Sequence, residues 1–98
     1  MRLALALLLA LALHAEAETC RVKEDTLVFA PGKYEDFVQL MDSGRADQAG
    51  ECCLRCTIDA GTTVEIQKKN DLLHIIRVQS GPSLGCVGEM TGDLLTCE

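Results

Sequence analysis

The residues best suited to chemistry in this 98-residue chain are its six cysteines and His74. Three of the cysteines lie within the run Cys52-Cys53-Leu54-Arg55-Cys56. Together with His74 they form the donor set of a Cys₃His zinc site, and Cys53 and Cys56 also have the spacing of a thioredoxin-like redox motif. The second half-motif of a zinc site is absent, however, and no βαβ pattern surrounds the C-x-x-C step. We therefore expect no metal and no other cofactor.

All six cysteines are instead expected to form disulfides: Cys20, Cys52, Cys53, Cys56, Cys86 and Cys97. An even number of cysteines in a short chain is typical of exported proteins, because their compartment oxidises thiols. The spacing does not select one pairing. We expect no bond between Cys52 and Cys53, since adjacent residues would close a strained ring. The best single prediction is Cys86 to Cys97, across a C-terminal hairpin.

Residues 1–17 have the three parts of a secretory signal. Met1-Arg2 is the positive region, the run from Leu3 to Leu13 contains only Leu and Ala, and Ala15-Glu16-Ala17 fits the small-x-small cleavage rule. The apolar run is shorter than the roughly 20 residues that span a bilayer, which disfavours a retained signal anchor. We expect a signal peptide at 1–17, a single disulfide-rich domain at 18–98, and a secreted protein without membrane insertion.

The charge of the domain limits the kinds of partner that it can bind. Removing residues 1–17 takes one of the 9 basic and one of the 15 acidic residues, and the net charge stays at −6. The remaining bases are scattered, and the longest cluster is Lys68-Lys69. Phosphates would repel such a surface, so nucleic acid is not an expected partner.

The first half of the domain has a strand pattern followed by a helix pattern. Thr26 to Ala30 is apolar or β-branched and is followed by Pro31-Gly32, which predicts a strand and a turn. Residues 33–42 then have Tyr34, Phe37, Val38 and Met41 at the spacing of one helical face. A second helix over residues 45–60 is possible. If that segment is extended instead, Cys52 and Cys53 point to opposite faces.

The second half of the domain predicts strands. The pattern of residues 62–67 and 72–79 predicts a hairpin around a polar turn, with one face covered by the helix. Residues 86–90 and 94–97 predict a C-terminal hairpin around Thr91-Gly92-Asp93. The predicted fold class is therefore small disulfide-rich α+β, with one or two short helices packed on an antiparallel β-hairpin and a C-terminal hairpin.

Catalytic patterns are absent from the domain. His74 is its only histidine and lies within an apolar strand, where a hydrogen-bonded structural histidine is commoner than a general base. Neither G-x-S-x-G nor H-E-x-x-H occurs. We expect that the protein is not an enzyme.

Residues 20–66 resemble a known family at several positions: Cys20, Gly32-Lys33-Tyr34, the run Cys53-Leu54-Arg55-Cys56, Gly61 and the alternating Val64-Glu65-Ile66. This pattern resembles the first half of a small secreted von Willebrand factor type C domain. The early Cys52-Cys53 pair and the lack of a C-x-C step depart from that family. The resemblance implies a protein-binding module of extracellular regulation, innate defence or venom.

These observations predict a secreted, disulfide-stabilised binding protein that acts through its surface on an extracellular protein target. The target would be a receptor, a channel or a protease, and the protein itself a monomer. Toxin-like, defence and ligand or inhibitor roles all fit, because each works through surface shape. The alternatives are a small secreted enzyme that uses His74 or Cys53, and a structural constituent of a matrix or secretion.

Overall fold

The computed structural model describes residues 18–97, so the predicted signal peptide at 1–17 lies outside the described residues. The described chain is a seven-stranded antiparallel sheet with two helices. The elements are β1 Glu18–Val22, β2 Thr26–Phe29, α1 Tyr34–Asp42, α2 Ala46–Cys53, β3 Leu54–Ile58, β4 Thr63–Lys69, β5 Leu73–Val78, β6 Val87–Thr91 and β7 Leu95–Cys97. The strand order is β3-β2-β6-β5-β4-β1-β7. The predicted fold class, small disulfide-rich α+β, is confirmed.

One buried cluster receives side chains from every strand. It consists of Cys20, Val22, Val28, Ile58, Val64, Ile66, Ile76, Val78, Met90 and Leu95. Strands β3 and β7 are the two edges of the sheet, yet Ile58 and Leu95 belong to the same cluster. The sheet must therefore curl around its own inner face. The hairpin predicted over residues 62–79 forms the middle of this sheet as β4 and β5, and Val64 pairs with Val78.

The two helices form an excursion from the sheet between β2 and β3. We call residues 33–53 the helical excursion. α1 and α2 pack on each other, and α2 contacts β3. The aromatic rings join the excursion to the sheet, because Phe29 of β2 lies 5.0 Å from both Tyr34 and Phe37 in edge-to-face geometry. The helices therefore do not form the predicted cover over the β4–β5 hairpin.

The second helix is shorter than predicted. α2 ends at Cys53, and the chain continues as β3 rather than as helix to residue 60. Strand β3 pairs with β2 through Val28 and Cys56 and through Thr26 and Ile58. Burial of Ile58 and pairing with β2 outweigh the local helical pattern, which Gly50 already weakens by about 1 kcal/mol.

The predicted C-terminal hairpin is wrong, although both of its strands exist. β6 pairs with β5 and β2, whereas β7 pairs with β1. Between them, Gly92–Leu94 forms a single 3-10 turn, which redirects the chain to the free edge of β1. Strand β1 was not predicted, because polar residues lie beside the two inward-facing residues Cys20 and Val22 and leave only a weak apolar pattern.

Candidate functional surface

The six predicted disulfide residues are all paired among residues 18–97. The bonds are Cys20–Cys97, Cys56–Cys86 and Cys52–Cys53. The predicted Cys86 to Cys97 bond is therefore wrong. Its physical basis, a hairpin of β6 with β7, does not form, and Cys97 instead lies directly opposite Cys20 on β1.

The bond between the adjacent residues Cys52 and Cys53 also contradicts the sequence-based expectation. These residues lie where α2 ends and β3 begins, and Leu54 is already extended. At this junction the backbone changes from helical to extended, and the two sulfurs lie close enough to form the bond. The backbone N–H of Ala30 donates to the carbonyl of Cys53 at 2.8 Å, so the junction is also held to the end of β2.

The two longer bonds secure the sheet at its edges. Cys20–Cys97 joins β1 to the edge strand β7, with Cα atoms 4.3 Å apart. Cys56–Cys86 joins the other edge strand, β3, to the segment that enters β6, with Cα atoms 6.7 Å apart. Because edge strands have pairing on one side only, the two bonds fasten both edge strands to the rest of the curled sheet.

The donor set considered for zinc is not assembled in the structure. Cys52 and Cys53 are bonded to each other, Cys56 is bonded to Cys86, and His74 lies on β5. Within residues 18–97, the group of possible ligand atoms that lie close together is Glu18, Cys20 and Cys97. Its two sulfurs already form a disulfide, which removes them as thiolate ligands.

His74 lies on the inner face of β5, opposite Lys69 of β4 and Met90 of β6. Its ring packs over Gly92, because a Cβ built on that glycine would lie 2.4 Å from His74 Nε2. The Nδ1 atom is buried and has no hydrogen-bond partner. The imidazole thus fills space at the end of the core, but the expected hydrogen bond of a structural histidine is not made at Nδ1.

Replacing His74 by leucine is expected to leave the free energy of unfolding unchanged or to raise it by about 1 kcal/mol, because an unpartnered polar atom is removed from a buried position. Leucine is close to histidine in volume, so the contact with Gly92 is retained. Urea unfolding measures the effect. Destabilisation by more than about 2 kcal/mol would mean that the imidazole makes a polar interaction that the described contacts do not include.

The exposed face of α1 combines apolar and acidic side chains. Val38 and Met41 are 36% and 46% exposed, although the sequence places them on the same helical face as the half-buried Tyr34 and Phe37. Glu35 and Asp42 precede and follow Val38 by three and four residues, so they lie on the same side of the helix. We call Glu35, Val38, Met41 and Asp42 the α1 patch.

The helical excursion also carries half of the net charge of the protein. It holds two basic residues, Lys33 and Arg45, and five acidic residues, Glu35, Asp36, Asp42, Asp47 and Glu51, for a net charge of −3. Lys33 is 3.7 Å from Asp36 in an exposed ion pair. The α1 patch was not predicted from the sequence, because the apolar arc of the helix is wider than its contact with Phe29.

Two clefts lie at the surface of the described chain. One of about 450 Å³ lies over β1 and is lined by Arg21, Lys23 and Thr96 among others. Another, of about 550 Å³, lies beside the Cys56–Cys86 bond and includes Arg55 and the exposed Leu84. Neither cleft contains His74. The α1 patch is therefore the candidate surface that best combines exposure, apolar character and charge.

No helix among residues 18–97 has the length and apolar character needed to cross a bilayer. No family model matches the chain, and neither a curated protein nor a solved structure matches it.

Proposed function

We propose that the protein is secreted and binds an extracellular protein target through the α1 patch, with the disulfide-closed sheet as a rigid support. The observation that carries this proposal is the exposure of Val38 and Met41 on a helix that is fixed to the sheet by Phe29. Exposed apolar side chains with a polar rim are typical of protein–protein contact sites. The resemblance of residues 20–66 to von Willebrand factor type C domains supports the same role.

The chemistry of the α1 patch specifies the kind of target. Glu35 and Asp42 flank the apolar side chains, and the helical excursion has a net charge of −3. A complementary target surface has an apolar depression bordered by Lys and Arg, and such pairing raises the association rate at low salt. Receptors, channel vestibules and proteases that present basic rims fit this description, in a toxin-like, defence or inhibitory setting.

The double substitution Val38→Asp/Met41→Asp is expected to weaken binding at least about tenfold, since it places charged carboxylates against the apolar depression of the target, where they lose their hydration. Saturable binding of fluorescently labelled mature protein to intact cells measures the effect. Unfolding midpoints should change little, because both side chains are exposed.

Leu84→Asp is the matched control. Leu84 is 67% exposed and lies in the loop before β6, outside the helical excursion, so this variant should bind as the wild type does. Equal losses in the two variants would contradict the placement of the contact on α1. Absence of saturable binding by the wild type across cell types would contradict the binding role itself.

A further inference from the structure

The Cys52–Cys53 bond differs from the other two disulfides in what it contributes to stability. A disulfide stabilises mainly by closing a loop in the unfolded chain, and the gain increases with the length of that loop. Cys20–Cys97 and Cys56–Cys86 span 77 and 30 residues, whereas Cys52 and Cys53 are adjacent. The adjacent pair therefore constrains almost nothing in the unfolded chain.

The two residues of this bond are unequally exposed to solvent. Cys52 is exposed, whereas Cys53 is 0% exposed. A nucleophile from solvent therefore meets the Cys52 side of the bond. The Cα atoms are 3.7 Å apart, as adjacency requires, which is well below the usual range for disulfides of about 4.4 to 6.8 Å, whereas those of Cys20 and Cys97 are 4.3 Å apart, at its lower limit. Disulfides far outside that range, and exposed ones, are the more easily exchanged.

We propose that Cys52–Cys53 is a thiol–disulfide exchange site that accepts a low-molecular-weight thiol on Cys52. The thiolate of the incoming molecule attacks Cys52 Sγ, a new S–S bond forms there, and the Cys52–Cys53 bond breaks. Cys53 leaves as a thiolate and takes up a proton from solvent. The product is a mixed disulfide on Cys52 and a free thiol on Cys53. The exchange needs no oxidant or reductant other than the incoming thiol.

The other two bonds are held by the sheet. Cys97 is exposed, but Cys20 is 3% exposed and the β1–β7 ladder holds the two residues directly opposite each other, so an opened bond would close again. Cys56 and Cys86 are half-buried and pack against the main core. Exchange at Cys52 should therefore precede any reaction at the other four cysteines.

The charge around Cys52 indicates which thiols react fastest. Glu51 is the preceding residue, and the helical excursion carries a net charge of −3. A cationic thiol is attracted to this surface and an anionic one is repelled, and salt weakens both effects. The attached group would then lie on the helical excursion and change its charge.

The test uses the mature protein with all three disulfides and cysteamine as the cationic thiol. After acid quenching and alkylation, peptide mapping should show a cysteamine adduct on Cys52, an alkylated Cys53 and four unmodified disulfide cysteines. Mercaptoacetate, the anionic thiol, should react more slowly, and the difference should shrink at high salt. A first adduct on Cys97, the other exposed cysteine, would overturn the proposal, as would simultaneous loss of all three bonds.

The variant Cys52→Ser/Cys53→Ser provides a second measurement. It should take up cysteamine at least about tenfold more slowly than the wild type. Unchanged uptake in this variant would also overturn the proposal. The peptide map of the wild type decides the question even if the variant does not fold. Neither measurement depends on the target proposed for the α1 patch.

Discussion

Replacing Cys20 and Cys97 together by alanine is expected to lower the free energy of unfolding by about 4.5 kcal/mol, the largest effect of any single bond in the molecule. The estimate follows from the 77-residue separation that this disulfide spans in the unfolded chain. Total stabilities of small domains are about 5 to 15 kcal/mol, so this one bond would account for roughly a third to nearly all of the stability. Circular dichroism during urea unfolding measures the loss.

The control for this experiment is Cys52→Ala/Cys53→Ala, which also removes one bond and two sulfurs. Its expected loss is below about 1 kcal/mol, because adjacent cysteines restrict the unfolded chain very little. If the two double variants lose similar stability, loop closure is not the source of the stabilisation by Cys20–Cys97. The bond would then act through its contacts in the native sheet instead.

Gly88→Ala is expected to lower the free energy of unfolding by about 3 kcal/mol, through overpacking where β6 passes β2. A Cβ at residue 88 would lie 2.5 Å from the carbonyl oxygen of Phe29 and 2.7 Å from Cγ1 of Val28. The first contact is with backbone, so a rotamer change cannot relieve it. β2 and β6 would have to separate at the pair of Phe29 with Glu89. Thermal unfolding measures the effect.

Gly50→Ala is the matched control for this substitution. Gly50 lies within α2, and a Cβ there would meet nothing within 4 Å. Alanine is the better helix former by about 1 kcal/mol, so this variant should be more stable than the wild type. A Gly88→Ala variant of wild-type stability would show that β2 and β6 are less closely packed than the structure indicates.

The elements that the sequence predicts well are those with a strong local period. The spacing of Tyr34, Phe37, Val38 and Met41 predicts α1, and the alternating Val64 and Ile66 predict β4. These patterns arise from residues that are close in the sequence, so the elements they predict do not depend on which distant segments pack against them. The exposure of Val38 and Met41 was not predictable in this way, because it depends on how much of α1 the single ring of Phe29 can cover.

The sequence-based predictions are wrong where a strand or a disulfide depends on a partner that is distant in the sequence. β3 is a strand because β2 is available to pair with it, and β7 leaves β6 because β1 offers a free edge. The residues around β3 and β7 in the sequence do not show which strand each of them will pair with. The disulfide pairing follows the same rule, since Cys97 bonds with Cys20 across paired strands rather than with the nearer Cys86.

The position of β1 in the sheet has a consequence for biosynthesis. β1 is the first strand of the domain to be made, yet its neighbours are β4 and β7, the last of which ends at Cys97. Such non-local pairing is intrinsically slow, because long stretches of chain must be ordered before it can form. The sheet therefore cannot be completed before β7 has been synthesised, and until then β1 can pair only with β4 and keeps its other edge open.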